Sequence, residues 1–320
     1  MKELDTAETA LSLKKPAKSR KKWAVYLRNN FDLYLMLLPG VIIVLVFNYI
    51  PMYGVQIAFR EYVPTKGFLG SDWVGLKHFA RFFESFYAGR TISNTVFLSL
   101  YSLLAGFPLP IILALMLNQV SSSKFRRIVQ TITYAPNFIS IMVLVGMLNV
   151  YFSPTYGLWS YVVKFFGGTP RALLAEPGTF RHFYVWSGIW QGTGYGSIIF
   201  FAALSAISLE LHEAAIIDGA SKLQRIWYID IPGILPTATI MLIMSFGSLM
   251  SVGFEKAYLM QNTRNTITSE ILSTYVYKVG LLDGRFSFSA AIGLFNTMIN
   301  FVLLLLINMF ARKVGETSLW

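Results

Sequence analysis

Long runs without a charged residue dominate the chain. Six apolar segments are each long enough to cross a bilayer, which takes about 20 residues in a helix. They contain no Asp, Glu, Lys or Arg until Glu255 and Lys256, at the end of the fifth. The pattern predicts an all-α polytopic membrane protein with six transmembrane helices, at residues 33–55, 92–117, 129–152, 184–207, 234–257 and 287–311.

The polar segments between these runs predict how the chain is oriented in the membrane. Eight Lys and Arg residues fall within positions 1–30, directly before the first apolar run, and Lys124, Arg126 and Arg127 crowd a short loop after the second. Basic residues flanking a span favour its cytoplasmic side. We therefore expect a basic cytoplasmic tail at 1–30, a transmembrane domain at 31–320, and both termini in the cytoplasm.

The amino-acid composition excludes several classes of function. Charged residues make up 13% of the chain, about half of the ~25% of a soluble domain. Of the 27 basic residues behind the formal net charge of +11, eight lie in the N-terminal cluster, which indicates a membrane flank and no nucleic-acid partner. The absence of cysteine excludes disulfides and thiolate metal sites. The sequence also lacks a cluster of His and carboxylates that would predict a metal site. Proton-driven transporters place ionisable groups inside the membrane, and these spans have almost none.

Neutral polar and aromatic residues inside the spans are the candidate solute contacts. Amide and hydroxyl groups beside aromatic faces suit a neutral polyhydroxylated solute. For any single one of these residues, helix packing is the favoured explanation over contact with a solute. An acidic glycan would need cationic contacts from loop residues or from a partner. The candidate path residues are Tyr134, Asn137, Trp190, Gln191, Tyr195 and Asn296.

One short motif is similar in sequence to motifs with other functions. The residues Thr193-Gly194-Tyr195-Gly196 are similar to part of a potassium-selectivity filter. They lie inside one continuous apolar run, whereas a filter needs a re-entrant loop. We expect the glycines to allow close helix approach. No Gly-Lys-Ser/Thr follows Gly192 or Gly194, so the chain has no nucleotide loop and no ATP site of its own.

A charged segment at 208–232 separates the fourth and fifth apolar runs. We predict a short helix over Leu209–Ile217, a turn at Gly219, and a second short helix over Ser221–Tyr228 that Ser221 caps. Pro232 is expected to end the excursion. Glu213 would remain as an exposed acid for a basic partner, although a plain amphipathic surface loop fits the same pattern.

The order of residues in this segment carries a resemblance. Glu213-Ala214-Ala215, followed by Gly219 and by Ile231-Pro232, resembles the EAA loop of ABC importer permeases. The stretch Asp218-Gly219-Ala220-Ser221 is similar to the maltose-type, carbohydrate-uptake branch of that family. Further motifs resemble its LplB-like subgroup, which is associated with complex oligosaccharides: Gly75–Phe79, Phe107–Pro110, Ala114–Asn118, Tyr134–Ser140, Ser273–Tyr277 and Gly293–Asn296.

The resemblance implies a mechanism. The chain would have the type I ABC importer permease fold and would not be an enzyme. In a bacterial cell membrane it would pair with a second permease, two ATPase subunits that use ATP and Mg, and an extracellular solute-binding protein or lipoprotein. The chain itself would bind no cofactor and would pass a carbohydrate. The 208–232 loop would be the coupling helix, contacting the ATPase through Glu213, Ala214, Ala215, Asp218, Gly219, Ala220, Ser221, Arg225 and Pro232.

Two other functions fit the sequence. A membrane-anchored scaffold or sensor could use the 208–232 loop to recruit a cytoplasmic regulator. An importer of another small organic solute would share the same loop and the same spans.

Overall fold

The computed structural model describes residues 26 and 28–314, and most of these are helical. The predicted tail at 1–30 lies almost wholly outside the described residues. The chain divides into two compact units, residues 1–56 and 57–320. A two-stranded antiparallel hairpin, β1 (Arg60–Glu61) and β2 (Asp72–Trp73), opens the second unit.

The described residues of the first unit form one long apolar helix. Helix α1 covers Phe31–Val44 and continues through a π-helical turn, Leu45–Tyr49, into a further turn at Ile50–Met52. Pro39 lies inside α1. The helical stretch that runs to Phe59 has the length and hydropathy of a membrane span.

The second unit contains the remaining helices. Their bounds are α2 Lys77–Glu84, α3 Phe86–Gly106, α4 Pro108–Asn118, α5 Ser123–Tyr134, α6 Ile141–Tyr151, α7 Leu158–Phe165, α8 Pro177–Ser205, α9 Leu209–Ile217, α10 Lys222–Arg225, α11 Ile231–Gly247, α12 Phe254–Met260, α13 Thr266–Ser269, α14 Leu272–Tyr277 and α15 Phe286–Val314.

The number of helices agrees with the six predicted spans only if each pair of helices joined by a sharp bend is counted as one span. Within the described residues, four helical stretches are long and apolar enough to cross a membrane, and two bent pairs raise the number to as many as six. The third predicted span is such a pair, because the chain bends by 96° between residues 138 and 141. Ser140 caps the helix that follows, accepting a hydrogen bond from the Val143 amide at 3.3 Å.

The fifth predicted span, 234–257, has wrong boundaries. The helix begins at Lys222 and ends at Gly247, and a turn through Ser251 separates it from α12. At Gly247 the chain lies so close to the last helix that an added Cβ would be 2.8 Å from Leu304 Cδ1. Lys256 therefore lies on a separate short helix and not at the end of a span.

Helix α8 is the centre of the second unit. It packs against α3, α4, α5 and α11. Its buried side chains belong to two apolar clusters: Phe180, Tyr184 and Val185 pack with Leu98 and Ile271, whereas Phe200 and Leu204 pack with Ala114 and Ile234. Where these helices lie in lipid, van der Waals packing of the side chains holds them together, because lipid tails are as apolar as the side chains. The rigid helix α8 thus connects the loop that follows Ser205 to the rest of the unit.

A few charged groups in the second unit form ion pairs. Glu270 is buried and lies 2.8 Å from Arg90 Nη2 and 3.0 Å from Lys278 Nζ. At the hairpin, Lys77 lies 2.8 Å from Glu61, and its hydrogen bond lowers the pKa of that exposed carboxyl. These contacts connect α3 to the segment before α15 and fix the hairpin to α2.

Candidate functional site

The 208–232 loop leaves the central helix at a sharp angle. Helix α9 is bent by 71° from α8 after a break of three residues. Ser208 begins α9 as its N-cap, and its side chain accepts a hydrogen bond from the Glu210 amide at 3.2 Å. The predicted bounds of this helix, Leu209–Ile217, are confirmed.

Gly219 turns the chain at the end of α9. Its φ is +80°, in the left-handed region that favours glycine. The Ala220 amide donates to the Ala215 carbonyl at 2.8 Å, and the Gly219 amide donates to the Ile216 carbonyl at 3.0 Å. This is the Schellman pattern of helix termination, which satisfies carbonyls that the helix leaves unpaired. The turn predicted from Gly219 is confirmed.

A capping box starts the next helix immediately. Ser221 Oγ accepts from the Gln224 amide at 3.3 Å, and Gln224 Oε1 accepts from the Ser221 amide at 2.7 Å. Such reciprocal bonds satisfy amides at a helix start. The cap predicted at Ser221 is confirmed, and two helices flank Gly219 as expected.

The prediction that Pro232 ends the excursion is wrong. Helix α10 runs through a π-helical turn, Ile226–Asp230, directly into α11, so the helix continues past Pro232 and Pro236. Proline lacks the amide hydrogen that an interior helical position uses. Pro232 lies in the first turn of α11, directly after the wider π-helical turn, where this loss is tolerated. The loop is therefore rigidly continuous with the following span.

A buried carboxylate joins the two sides of the loop. Asp230 is fully buried, and its Oδ1 lies 3.3 Å from Nε2 of His212 on α9. Gln119, at the end of α4, donates from Nε2 to Asp230 Oδ2 at 3.1 Å. Removing a partner of a buried carboxylate leaves a polar group unsatisfied, which is usually costly. We infer that α9, α4 and the base of α11 are held together at this point.

The opposite face of the loop is exposed and apolar. The exposed large side chains here are Ile217, Leu223, Trp227 and Tyr228, each more than 60% exposed. Glu213 is exposed on α9, and no described side chain forms an ion pair with it. An apolar patch beside an unpaired charge is typical of a protein interaction site. Of the other predicted coupling residues, Ala214, Asp218, Gly219, Ser221 and Pro232 are exposed, and Ala215, Ala220 and Arg225 are partly buried.

The predicted solute-path residues do not form one cluster. Gln191 lines a cavity in the second unit, and its Nε2 donates to the Ile139 carbonyl at 2.6 Å, at the break between α5 and α6. Trp190 lines a different, apolar cavity beside Trp186. Tyr195 is half exposed. Tyr134 and Asn137 lie just before the break, and Asn296 lies on α15. Their contact with solute stays a prediction.

Sequence reasoning missed two features. The contact of Asp230 with Gln119 joins residues 111 positions apart, so no local pattern could find it. The only signal was an acid, Asp230, two positions before Pro232 at the edge of an apolar run. The position of Lys256 inside a cavity could likewise not be read from its place at the end of a predicted span.

Comparison with known proteins gives the family. The family described as "Binding-protein-dependent transport system inner membrane component" matches residues 106–316. This match covers more than half of the chain. The chain belongs to this family of transport permeases. The predicted membership in the ABC importer permeases is confirmed, and with it the type I permease fold.

Individual relatives cover nearly the whole permease. The polygalacturonan/rhamnogalacturonan transport system permease protein YteP of Bacillus subtilis (strain 168) is 40% identical over 94% of each chain. Protein LplB of the same organism is 39% identical over 93% of this chain and 94% of its own. A chain of a bacterial ABC transporter involved in the import of the acidic polysaccharide alginate aligns with a TM-score of 0.85, at 37% identity, over 92% of this permease and 99% of that chain.

Membership decides two general properties. The permease is a transport subunit and not an enzyme, with ATP hydrolysis on a separate subunit. It is a multi-pass protein of the cytoplasmic membrane. The exposed loop at 208–232 is thus a surface of a transport subunit.

Proposed function

We propose that this permease is one of two membrane subunits of an ATP-driven importer that moves an oligosaccharide or polysaccharide fragment into the cytoplasm by alternating access. The observation that carries the proposal is the exposed face of the 208–232 loop, including Glu213. It faces away from the helical unit, while Asp230 and the continuous helix into α11 connect it to the spans. A movement of the loop would therefore move the spans.

The proposal assigns partners to the surfaces. The loop lies on the cytoplasmic side, with both termini, and contacts one of two ATPase subunits that use ATP and Mg. A second permease completes the path, and an extracellular solute-binding protein or lipoprotein delivers the solute. The coarser part of this assignment is supported by the family, whose description names dependence on a binding protein. The names of YteP and of the alginate transporter support a carbohydrate as the solute.

Copurification tests the proposal against its alternative. We expect the full-length permease, solubilised in mild detergent, to retain a second permease and an ATPase pair. The reconstituted complex should take up an oligosaccharide only when ATP and the binding protein are present. A scaffold or sensor would retain neither partner and would leave the vesicles impermeable, and that result would reject the importer.

The turn at Gly219 gives a first mutational prediction. Replacing Gly219 by Val forces a β-branched residue into the left-handed region, at a cost of about 1–2 kcal/mol. An added Cβ meets nothing within 4 Å, so backbone strain is the main expected effect. We expect the amount of retained ATPase to fall about 5- to 30-fold, the factor that corresponds to this cost.

The matched control for this prediction is Gly219→Asn. Asparagine tolerates the left-handed conformation at helix ends better than other residues with a side chain. The Asn variant should therefore retain near-normal amounts of ATPase. Equal pull-down of the Val variant and the unmodified permease would show that the turn does not position the docking surface.

A further inference from the structure

Two neighbouring cavities lie beside the central helix. The first has a volume of about 410 Å³, within the ~300–1,000 Å³ of small-molecule sites, and is lined by α3, α4, α6, α8 and the segment around α12. The second, of about 280 Å³, is lined by hydroxyl groups from Ser99, Ser102, Ser245, Ser248 and Ser251. The two cavities share Ser102, Tyr184 and Gly253, so they are adjacent, and a few polar groups lie among their mostly apolar walls.

Lys256 places a charge in the first cavity. The residue is only 6% exposed. Its Nζ donates to the Tyr184 carbonyl at 2.6 Å and lies 4.7 Å from the centroid of the Tyr184 ring. Gly188 lies directly opposite, because a Cβ there would be 3.0 Å from Nζ. Glycine at 188 thus leaves the ammonium open toward the cavity.

No described carboxylate pairs with Lys256. An ammonium has three donors, and only the one to the Tyr184 carbonyl has an acceptor among the described residues. Glu270, by contrast, is buried between two cations. Leaving a buried charge unpaired is costly. An unpaired charge in the wall of a cavity of this size is a candidate group for binding a ligand.

Other groups in the cavity are also available. Ser102 Oγ is buried and has no hydrogen-bond partner within the described part of the chain. Gln191 uses its amide nitrogen on the Ile139 carbonyl, which leaves the amide oxygen as an acceptor. A hydroxyl and an amide oxygen beside an ammonium match the hydroxyl and carboxylate groups of a sugar acid.

We propose that Lys256 is a specificity residue that binds the carboxylate of a uronic acid unit as the solute passes, so that the permease favours acidic glycan fragments. This inference rests on the proposed function, because it requires a carbohydrate importer. The Lys256 ammonium forms a charge-assisted hydrogen bond with the carboxylate, and Ser102 and Gln191 contact neighbouring hydroxyls. A neutral oligosaccharide lacks the partner for Lys256 and gains nothing from it.

The test uses the whole importer, reconstituted with the partners that copurify with it. Uptake of trigalacturonate, which is acidic, and of maltotriose, which is neutral, is measured for the unmodified permease, Lys256→Met and Lys256→Arg. We expect Met to lower uptake of trigalacturonate about tenfold or more, as for loss of one charge-assisted hydrogen bond. Arg should restore most of it. The yield of assembled complex is measured for each variant, so that uptake is compared per assembled complex.

Each outcome separates the inference from the function on which it rests. If neither sugar is taken up and no second permease or ATPase pair copurifies, the proposed function fails, whereas lack of uptake by a fully assembled complex overturns the inference alone. If maltotriose enters and trigalacturonate does not, or if Lys256→Met takes up trigalacturonate normally, the function stands and the inference is overturned. The same conclusion follows if Met and Arg both lower uptake equally with complex yield intact, because a cation would then not be what matters.

A second variant decides the case in which Lys256→Met fails to assemble. Gly188→Ala displaces the ammonium while Lys256 stays in place. We expect it to raise the KM for trigalacturonate several-fold. Gly178→Ala is the control on the same helix, because its Cβ meets nothing within 4 Å. Equal KM values for these two variants would overturn the proposal.

Discussion

Replacing Glu213 by Lys is expected to abolish most ATP-driven uptake while leaving the permease folded. Glu213 is exposed and makes no described ion pair, so its replacement should not change the thermal unfolding of the subunit. If it contacts a basic group of the ATPase, the change removes a charge-assisted bond of ~1.5–3 kcal/mol and adds repulsion. ATPase affinity should therefore fall by about one to two orders of magnitude, measured by titrating ATPase onto the immobilised membrane subunits.

The control for this experiment is the same charge change at another exposed acid. Glu84 ends α2, outside the 208–232 loop. Glu84→Lys should leave ATPase affinity and uptake unchanged, because a cation at a helix C-terminus is favourable. Normal ATP-dependent uptake in the Glu213 variant, or an equal loss in both variants, would contradict the role of Glu213.

The spans could be predicted from hydropathy, but their breaks could not. Apolar runs near 92–117 and 287–311 needed only length and the absence of charge, and helices occupy both. The 96° bend before Ile141 depends on a long-range contact, since the freed Ile139 carbonyl accepts from Gln191, 52 positions away. Non-helical backbone at membrane depth is tolerated only when another group satisfies it. No local signal marks such a partner.

The 208–232 loop also has one feature that could be predicted from the sequence and one that could not. Its turn was predictable because Gly219 and Ser221 act through bonds within a few residues. Its anchoring was not, because His212, Asp230 and Gln119 meet only after three helices have packed. The role of Lys256 could not be predicted either, because it depends on the cavity that the packed helices leave around this residue.

A methyl group at Gly194 is expected to prevent stable folding of the permease. A Cβ there would lie 1.9 Å from the Thr133 carbonyl oxygen, so α5 and α8 would have to separate. Ordinary overpacking costs about 1–3 kcal/mol, and this contact is with backbone, which cannot rotate away. We expect Gly194→Ala to lower the yield of folded subunit and its melting temperature in detergent strongly, measured by size-exclusion chromatography and by thermal unfolding.

The neighbouring glycines make a graded series that tests the cause. A Cβ at Gly196 would lie 3.3 Å from Pro110 Cγ, and one at Gly192 meets nothing within 4 Å. Gly196→Ala should therefore be mildly destabilising. Gly192→Ala should be neutral or stabilising by ~0.5–1 kcal/mol, because alanine suits a helix better. If all three variants unfold alike, close helix approach would not explain the glycines. The graded order would instead show that this filter-like motif allows the close approach of α8 to Thr133 on α5.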